Sequence, residues 1–377
     1  LEGGINTLGF YGLEIPTVTT NFSYGEKRVL VDVEVIPQQG KQISLTGSVP
    51  IEPNESLQLD LNTRGFAIAQ LDTFLSGTHA LDGDLDLSLT LGGTLNAPTY
   101  VGSAKWVNGK IDHPSIGRVY EPIVATVRVD QGKVSIDSLF IGRAGQQLVL
   151  SGSTDLTGGN LSAFDINMDF VRFQPVHLPD VQAELNGHLQ LHGSPSKPRL
   201  VGDLIVQHAD IRLGELMATP STGWEQWPFV QALQMAMRVR AGQQVWVRDP
   251  TFNIETTGDL DLVKDAEGFK AFGSMQSKRG NYVFQNRRLD IAHADILFQG
   301  RPDIDPDLDI EAQTRVMARL QGDDDGSPDP VIVIVSVGGT LFKPEITSSS
   351  NPVVGDGQFD DVLSVLLIGA TREKMVV

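Results

Sequence analysis

Gly83-Asp-Leu-Asp-Leu-Ser-Leu-Thr-Leu91, a Gly92-Gly93 turn, Pro98 and a second run through Gly102 to Ile111 decide how this chain is read. Leucines stand at every second position of the first run with Asp, Ser or Thr between them, which is the pattern of a strand with one dry face and one wet. The unit returns. Gly93, Pro98, Gly102 and Ile111 recur as Gly193, Pro198, Gly202 and Ile211, after a second alternating run from Leu185 to Leu191. The Gly-x4-Pro core comes a third time as Gly339 to Pro344, behind Val331-Ile-Val-Ile-Val335. Strand, Gly/Pro turn, strand, three times over, argues for a repetitive β architecture in which stacking supplies the core that no single copy can bury. The intervals are unequal, so the repeat is loose.

Alternation runs from end to end: Val29 to Val35, Ile43 to Ile51, Leu57 to Leu61, Ile123 to Val129, Phe164 to Phe170, Met237 to Val239, Val245 to Val247, Phe252 to Ile254. Turn residues fall between these runs, which gives about 30 strands at one per ~12 residues, nearly all joined as hairpins or meanders. The longest strand candidate is Leu308 to Leu320. Two segments break the period. Phe66 to Leu75 predicts a short helix stopped by Gly77, and Phe359 to Gly369 places Phe359, Val362, Leu363, Leu366 and Leu367 on one helical face behind Asp356, Asp360 and Asp361. Trp224 to Pro228 reads as a loop with a short helical continuation to Met237, and Asp323 to Pro330 as a solvated loop.

The chain has 377 residues, 40% of them hydrophobic and 7% aromatic, with Gly 39 and Pro 20, as a turn-rich fold requires. Its net charge of −18 opposes nucleic-acid binding, which rests on Lys and Arg neutralising phosphates. Zero cysteines exclude disulfides, thiolate metal sites and cysteine nucleophiles. No stretch reaches the roughly 20 apolar residues needed to span a bilayer as a helix. Leu1 is not an initiator Met, so an anchor or signal segment ahead of it is an expectation.

On one strand His188 and His192 would lie about 13 Å apart, too far to share an ion. Gln321 to Ile332 echoes a calcium loop, but with Gln at position 1 and Ile at position 12, where a bidentate Glu belongs. Asp303, Asp305, Asp307 and Asp309 could line a cation site or simply form the outer face of a strand. There is no Gly-x4-Gly-Lys-Ser/Thr, Gly-x-Ser-x-Gly or His-Glu-x2-His motif, and 47 Asp and Glu make a carboxylate pair uninformative. The expectation is a protein with no catalytic residue, metal or cofactor.

Leu71-Asp-Thr-Phe-Leu-Ser-Gly77 leading into Leu81 and Gly93-x4-Pro98-Thr-Tyr-Val-Gly102 resembles a unit of the TamB family, the inner-membrane subunits of the translocation and assembly module. The C-terminal half carries more of the likeness: Phe252 to Leu262, Gly280-Asn-Tyr-Val-Phe284, Leu289 to Gly300, Pro306 to Ala312, then Gly338 to Ile346, Ser350-Asn-Pro352 and the Leu363 to Gly369 helix. The resemblance is dense from Val181 onward and thin before Arg64, so one continuous array is expected, with an N-terminal β-repeat segment at 1–180 and a TamB-like segment at 181–377 closed by a helix at 359–369. It implies an all-β fold: an elongated β-sheet curled into an open trough, a β-taco or solenoid-like form with one or two short amphipathic helices. It further implies the bridge-like lipid-transfer class, a periplasmic location, an inner-membrane anchor ahead of this sequence, and a TamA-like barrel partner of the Omp85 type.

Taken together, these features predict a passive conduit for phospholipid between inner and outer membranes. Its lining is expected to include Leu85, Leu87, Leu89 and Leu91; Leu189 and Leu191; Ile254, Leu260 and Leu262; and Leu308, Ile310 and Val316. The alternative from another class is a scaffold that templates outer-membrane barrel strands by pairing with exposed sheet edges.

Overall fold

Wherever side chains alternate with period 2, the backbone is extended. The computed structural model describes residues 2–5, 8–10, 13–15, 17–36, 41–71, 80–113, 118–157, 160–175, 181–212, 228–284, 286–301, 303–318, 328–355 and 357–368. The fold is all-β, an open sheet architecture not closed into a barrel, with two short α-helices. The chain divides into two units: Leu1–Val176 with Gly187–Leu200 and Trp224–Ala232, and His177–Asn186 with Val201–Gly223 and Leu233–Val377.

The first unit opens with β1 (Glu2–Ile5), β2 (Leu8–Phe10) and β3 (Leu13–Ile15). An antiparallel meander follows: β4 (Thr17–Gly25), β5 (Arg28–Ile36), β6 (Gln42–Pro50), β7 (Gln58–Ala67), β8 (Ala80–Gly93), β9 (Pro98–His113), β10 (Arg118–Asp130), β11 (Lys133–Arg143), β12 (Gln146–Thr157) and β13 (Asn160–Phe173). Strands β14 (Val181–Ser194) and β15 (Lys197–Arg212) each contribute residues to both units, and helix α1 (Pro228–Ala232) belongs to the first. The second unit is a meander of β16 (Gln234–Asp249), β17 (Phe252–Asp265), β18 (Gly268–Phe284), β19 (Arg287–Gln299), β20 (Asp307–Ala318), β21 (Asp329–Thr340) and β22 (Lys343–Asn351). Helix α2 (Phe359–Ile368) closes it.

The Gly-x4-Pro signature has a steric cause. Gly93, Gly193 and Gly339 hold φ of 76°, 117° and 78°, and a Cβ there would lie 2.4–2.5 Å from the carbonyl oxygens of Ala97, Lys197 and Lys343. No side chain fits so close to backbone. The same pressure acts within a strand at Gly258, where φ is 146° and a Cβ would stand 2.1 Å from the Ser274 carbonyl oxygen. Gly258→Ala is expected to cost about 2–3 kcal/mol, from strain and overpacking together, read as a lower urea midpoint of the second unit. A midpoint equal to that of the native chain would show that the strands part freely there.

The strands are fewer and longer than alternation predicts, 22 among the described residues. Met237–Val239 and Val245–Val247 are one strand, because the break between them is a bulge at Ala241/Val245 with Gln244 at φ 58° and not a turn. The longest strand is β18, 17 residues, whereas the expected longest, from Leu308, is a 12-residue β20 ending at Ala318, with 319–320 outside the described residues. The helix expected to run to Met237 stops at Ala232, since Met235, Met237 and Val239 alternate with Ala236 and Arg238 and so favour a strand. Of the helix predicted from Phe66, a 3-10 turn at Ile68–Leu71 is seen; 72–79 lie outside the described residues, as do 224–227, 323–327 and Gly369.

The driest packing lies under α2. Ala318, Val331, Val333, Val354, Val362, Val365 and Leu366 are 0–1% exposed, with Phe284, Val316 and Leu363 against them. Asp360 and Asp361 occupy the helix's positive first turn, and Arg287 donates to the Leu367 carbonyl at 3.1 Å, satisfying an otherwise orphaned acceptor.

Candidate functional site, an apolar sheet face

Directly opposed residues of antiparallel strands share a face, so the registers can be followed as rows across the sheet. One row of the first unit is Thr20, Val33, Leu45, Leu61, Leu89, Gly102, Val129, Val134, Thr154 and Phe164, one residue from each of β4 to β13. Beside it runs Val18, Val35, Ile43, Thr63, Leu87, Ala104, Val127, Ile136, Gly152 and Ile166. On the opposite face the intervening row is Thr19, Glu34, Ser44, Asn62, Ser88, Ser103, Arg128, Ser135, Ser153 and Asp165. One side is therefore almost wholly apolar and the other mostly polar, with Leu30 and Val101 exposed on it. Ten strands at ~4.8 Å give the apolar side a span of roughly 43 Å.

This face is not sealed at its middle. Leu61 and Leu89 are only half-buried, and no second layer of strands crosses them among the described residues; Phe229 of α1 stands near Phe164, ring centres 6.1 Å apart. On the other side Ser88 and Ser103 are exposed and Ser44, Ser135 and Ser153 half-buried. Bulges in β7, β9 and β11 add local twist and bending of the kind that lets a sheet curl.

Leu85, Leu87, Leu89 and Leu91 fall together in these rows: Leu85 lies between Phe66 and Trp106, and Leu91 between Leu59 and Tyr100. Leu189 and Leu191 join the same side, because their neighbours His188 and Gln190 turn to Asp169 and Asp165 of the polar face, both at 2.8 Å. In the second unit Ile254, Leu260 and Leu262 are half-buried and oppose Val247, Val239 and Met237 of β16. Leu308 opposes Ile296, and Ile310 lies between Ala294 and Val337, on a row system shared with Ala241, Gly258 and Met275. Val316 is placed differently: it opposes Val331 beneath α2, where the face is closed. That end of the second unit is sealed, while the part around Met275, Ile296 and Ile310 is half-open.

Val33, Leu45, Val129, Val134 and Phe164 belong to the same face but were not singled out as lining. Their alternation was visible; their membership depends on register. Cross-strand ion pairs stitch each unit, Arg128–Asp137 at 2.5 Å in the first and Arg238–Asp261 at 2.8 Å and Arg240–Asp259 at 2.9 Å in the second. Hydrogen bonding first, and charge second, from Asp261 and Asp137 holds the Arg238 and Arg128 guanidiniums above their ordinary pKa. Asp305 accepts the Phe342 N–H at 2.9 Å and Asp307 pairs with Arg301 at 2.8 Å, so these members of the alternating Asp run are engaged locally. Among the described residues no group of three or more His, Cys, Asp or Glu could hold a metal ion, and no helix is long and apolar enough to cross a membrane. A family model described as the TamB C-terminal domain matches residues 137–375.

Proposed function

Because the chain belongs to the TamB family, an envelope family with a role in outer-membrane biogenesis, we propose that it is a passive conduit that carries phospholipid acyl chains along its apolar sheet face. The observation that carries this is the pair of almost wholly apolar rows across β4 to β13, half-buried along most of its length and backed by a mostly polar face. A core residue needs a partner layer over it, and no second layer of strands lies over Leu61 and Leu89 among the described residues. Acyl chains fit that role. Taking two chains of about 16 carbons through water exposes on the order of 25 kcal/mol of methylene hydration at ~0.8 kcal/mol per CH2. An apolar face lined by Leu85, Leu87, Leu89, Leu91, Leu189 and Leu191 in the first unit, and one lined by Ile254, Leu260, Leu262, Leu308 and Ile310 in the second, each remove most of that cost at each step while the headgroup stays in solvent.

Transfer down such a face needs no catalytic residue and no cofactor. TamB-family proteins work with TamA-like partners; delivery toward an Omp85-type barrel from an inner-membrane anchorage in the periplasm is part of the proposal. Mass spectrometry of solvent extracts from the purified chain tests it: phospholipid is expected at one or more molecules per chain after detergent-free purification. Extracts that contain no more phospholipid than a control protein of equal charge would sink it.

A further inference from the structure

The wet face of the first unit carries a hollow that the lipid reading leaves unused. It spans β6 to β10, where two neighbouring rows line it together with the intervening Thr63, Leu87 and Ala104. In one, Gln42 opposes Arg64, the Arg64-Gly65 bulge faces Asp86, and Asp86, Lys105 and Thr126 follow in register. In the other stand Ser44, Asn62, Ser88 and Ser103. Short hydroxyl and amide side chains thus make the floor, and longer basic ones stand beside them.

Arg128, Arg238, Arg240 and Arg279 each hold an Asp or Glu within 2.5–2.9 Å, in a chain of net charge −18. Arg64 and Lys105, like Lys110, Lys133 and Arg143, make no ion pair among the described residues. Asp86 is the direct cross-strand partner of Lys105, but its carboxylate accepts the Gly65 N–H at 2.7 Å and makes no ion pair with Lys105. The bulge in β7 therefore presents a backbone donor to one oxygen of Asp86, the one carboxylate among the described residues lining the hollow, and both basic side chains are exposed without an ion pair to it.

We propose that this hollow binds an anionic sugar, a polyol bearing a phosphate or carboxylate, with the anion held by Arg64 and Lys105 and the hydroxyls by the Ser44, Asn62, Ser88 and Ser103 row. Two strands separate the cations, about 10 Å of backbone, and the rows lie about 7 Å apart, dimensions of a sugar and not of a lone ion. Hydroxyl and amide groups both donate and accept, as a polyol requires, and guanidinium and ammonium give charge-assisted bonds to the anion. The source is a soluble molecule, since the sheet is a single layer and an acyl chain lodged on the apolar side lies behind it.

Calorimetric titration of the whole chain with glucose 6-phosphate, glucose and inorganic phosphate decides the matter. Glucose 6-phosphate is expected to bind at least about tenfold more tightly than either of the others, and to lose about tenfold or more in the Arg64→Gln/Lys105→Gln double variant, the worth of one charged hydrogen bond. Lys133→Gln, an exposed lysine outside the hollow, should leave binding unchanged, and Ser103→Leu, which fills the floor without altering charge, should weaken it. Both basic residues are exposed, so the double variant should fold, as circular dichroism can verify. Inorganic phosphate binding as tightly as the sugar phosphate, an adventitious ion only, overturns the proposal, as does equal affinity in native and double-variant chains. Binding of phosphatidylglycerol vesicles that Arg64→Gln/Lys105→Gln removes, without binding of glucose 6-phosphate, overturns the soluble source.

Discussion

Val333→Asp is expected to detach helix α2 and lower the stability of the second unit by about 5 kcal/mol. Val333 is 0% exposed, opposes Thr314 and Ser350, and shares the closed cluster with Val362, Val365 and Leu366. An uncompensated buried carboxylate costs about 3–5 kcal/mol and the lost apolar burial about 1.5 more; taking up a proton lessens the first cost but still leaves a buried polar group without designed partners. Limited proteolysis should then cut between Asn351 and Phe359, and the urea midpoint should fall. Ile332→Asp is the control. It lies one residue away on the opposite face and is 39% exposed, so its effect should stay within about 0.5 kcal/mol. Equal losses from both substitutions would mean that the two faces of β21 are not the dry and wet sides assigned to them.

That pair of neighbours illustrates what could and could not be learned from the sequence. Parity along a strand was visible at Leu85 to Leu91, because a period of 2 is a local property; at Val331 to Val335 every residue is apolar, so which of Val333 and Ile332 turns inward was not. Helix α2 was visible too, since its 3.6 period, acidic start and apolar stripe sit within ten residues. Register is not local. Nothing in the residues around Leu89 says that it meets Leu61 on one side and Gly102 on the other, and only that meeting makes a row of separate leucines into a continuous surface. Bulges defeat the count of strands for the same reason: at Ala241 to Val245 a break in the pattern looks like a turn but is absorbed inside β16. Val316 shares its parity with Leu308 and Ile310, yet lies under a helix whose docking place is set by packing some 40 residues further along the chain. The hollow around Arg64 was equally hidden, since whether a lysine is compensated depends on which way an aspartate on the next strand turns.

The substitution with the largest expected effect on function is Leu89→Asp, predicted to reduce co-purified phospholipid by at least about thirtyfold. Leu89 sits mid-row between Leu61 and Gly102, so any acyl chain moving across β4 to β13 must pass it. Each methylene stacked there would have to strip water from a carboxylate, a penalty of about 2–3 kcal/mol even when the charge can partly turn to solvent. Because the native leucine is only half-buried, the fold should lose no more than about 1–2 kcal/mol, and lipid loss should not be secondary to unfolding. Ser88→Asp supplies the matched comparison: the same charge, one residue away, on the polar face, with lipid expected at the native level. If strand edges pairing with other chains were the working surface instead, both aspartates would leave function intact and a proline on an edge strand would remove it. Lipid retained in full by Leu89→Asp would therefore exclude the apolar face as the route, whatever the wild-type extracts contain.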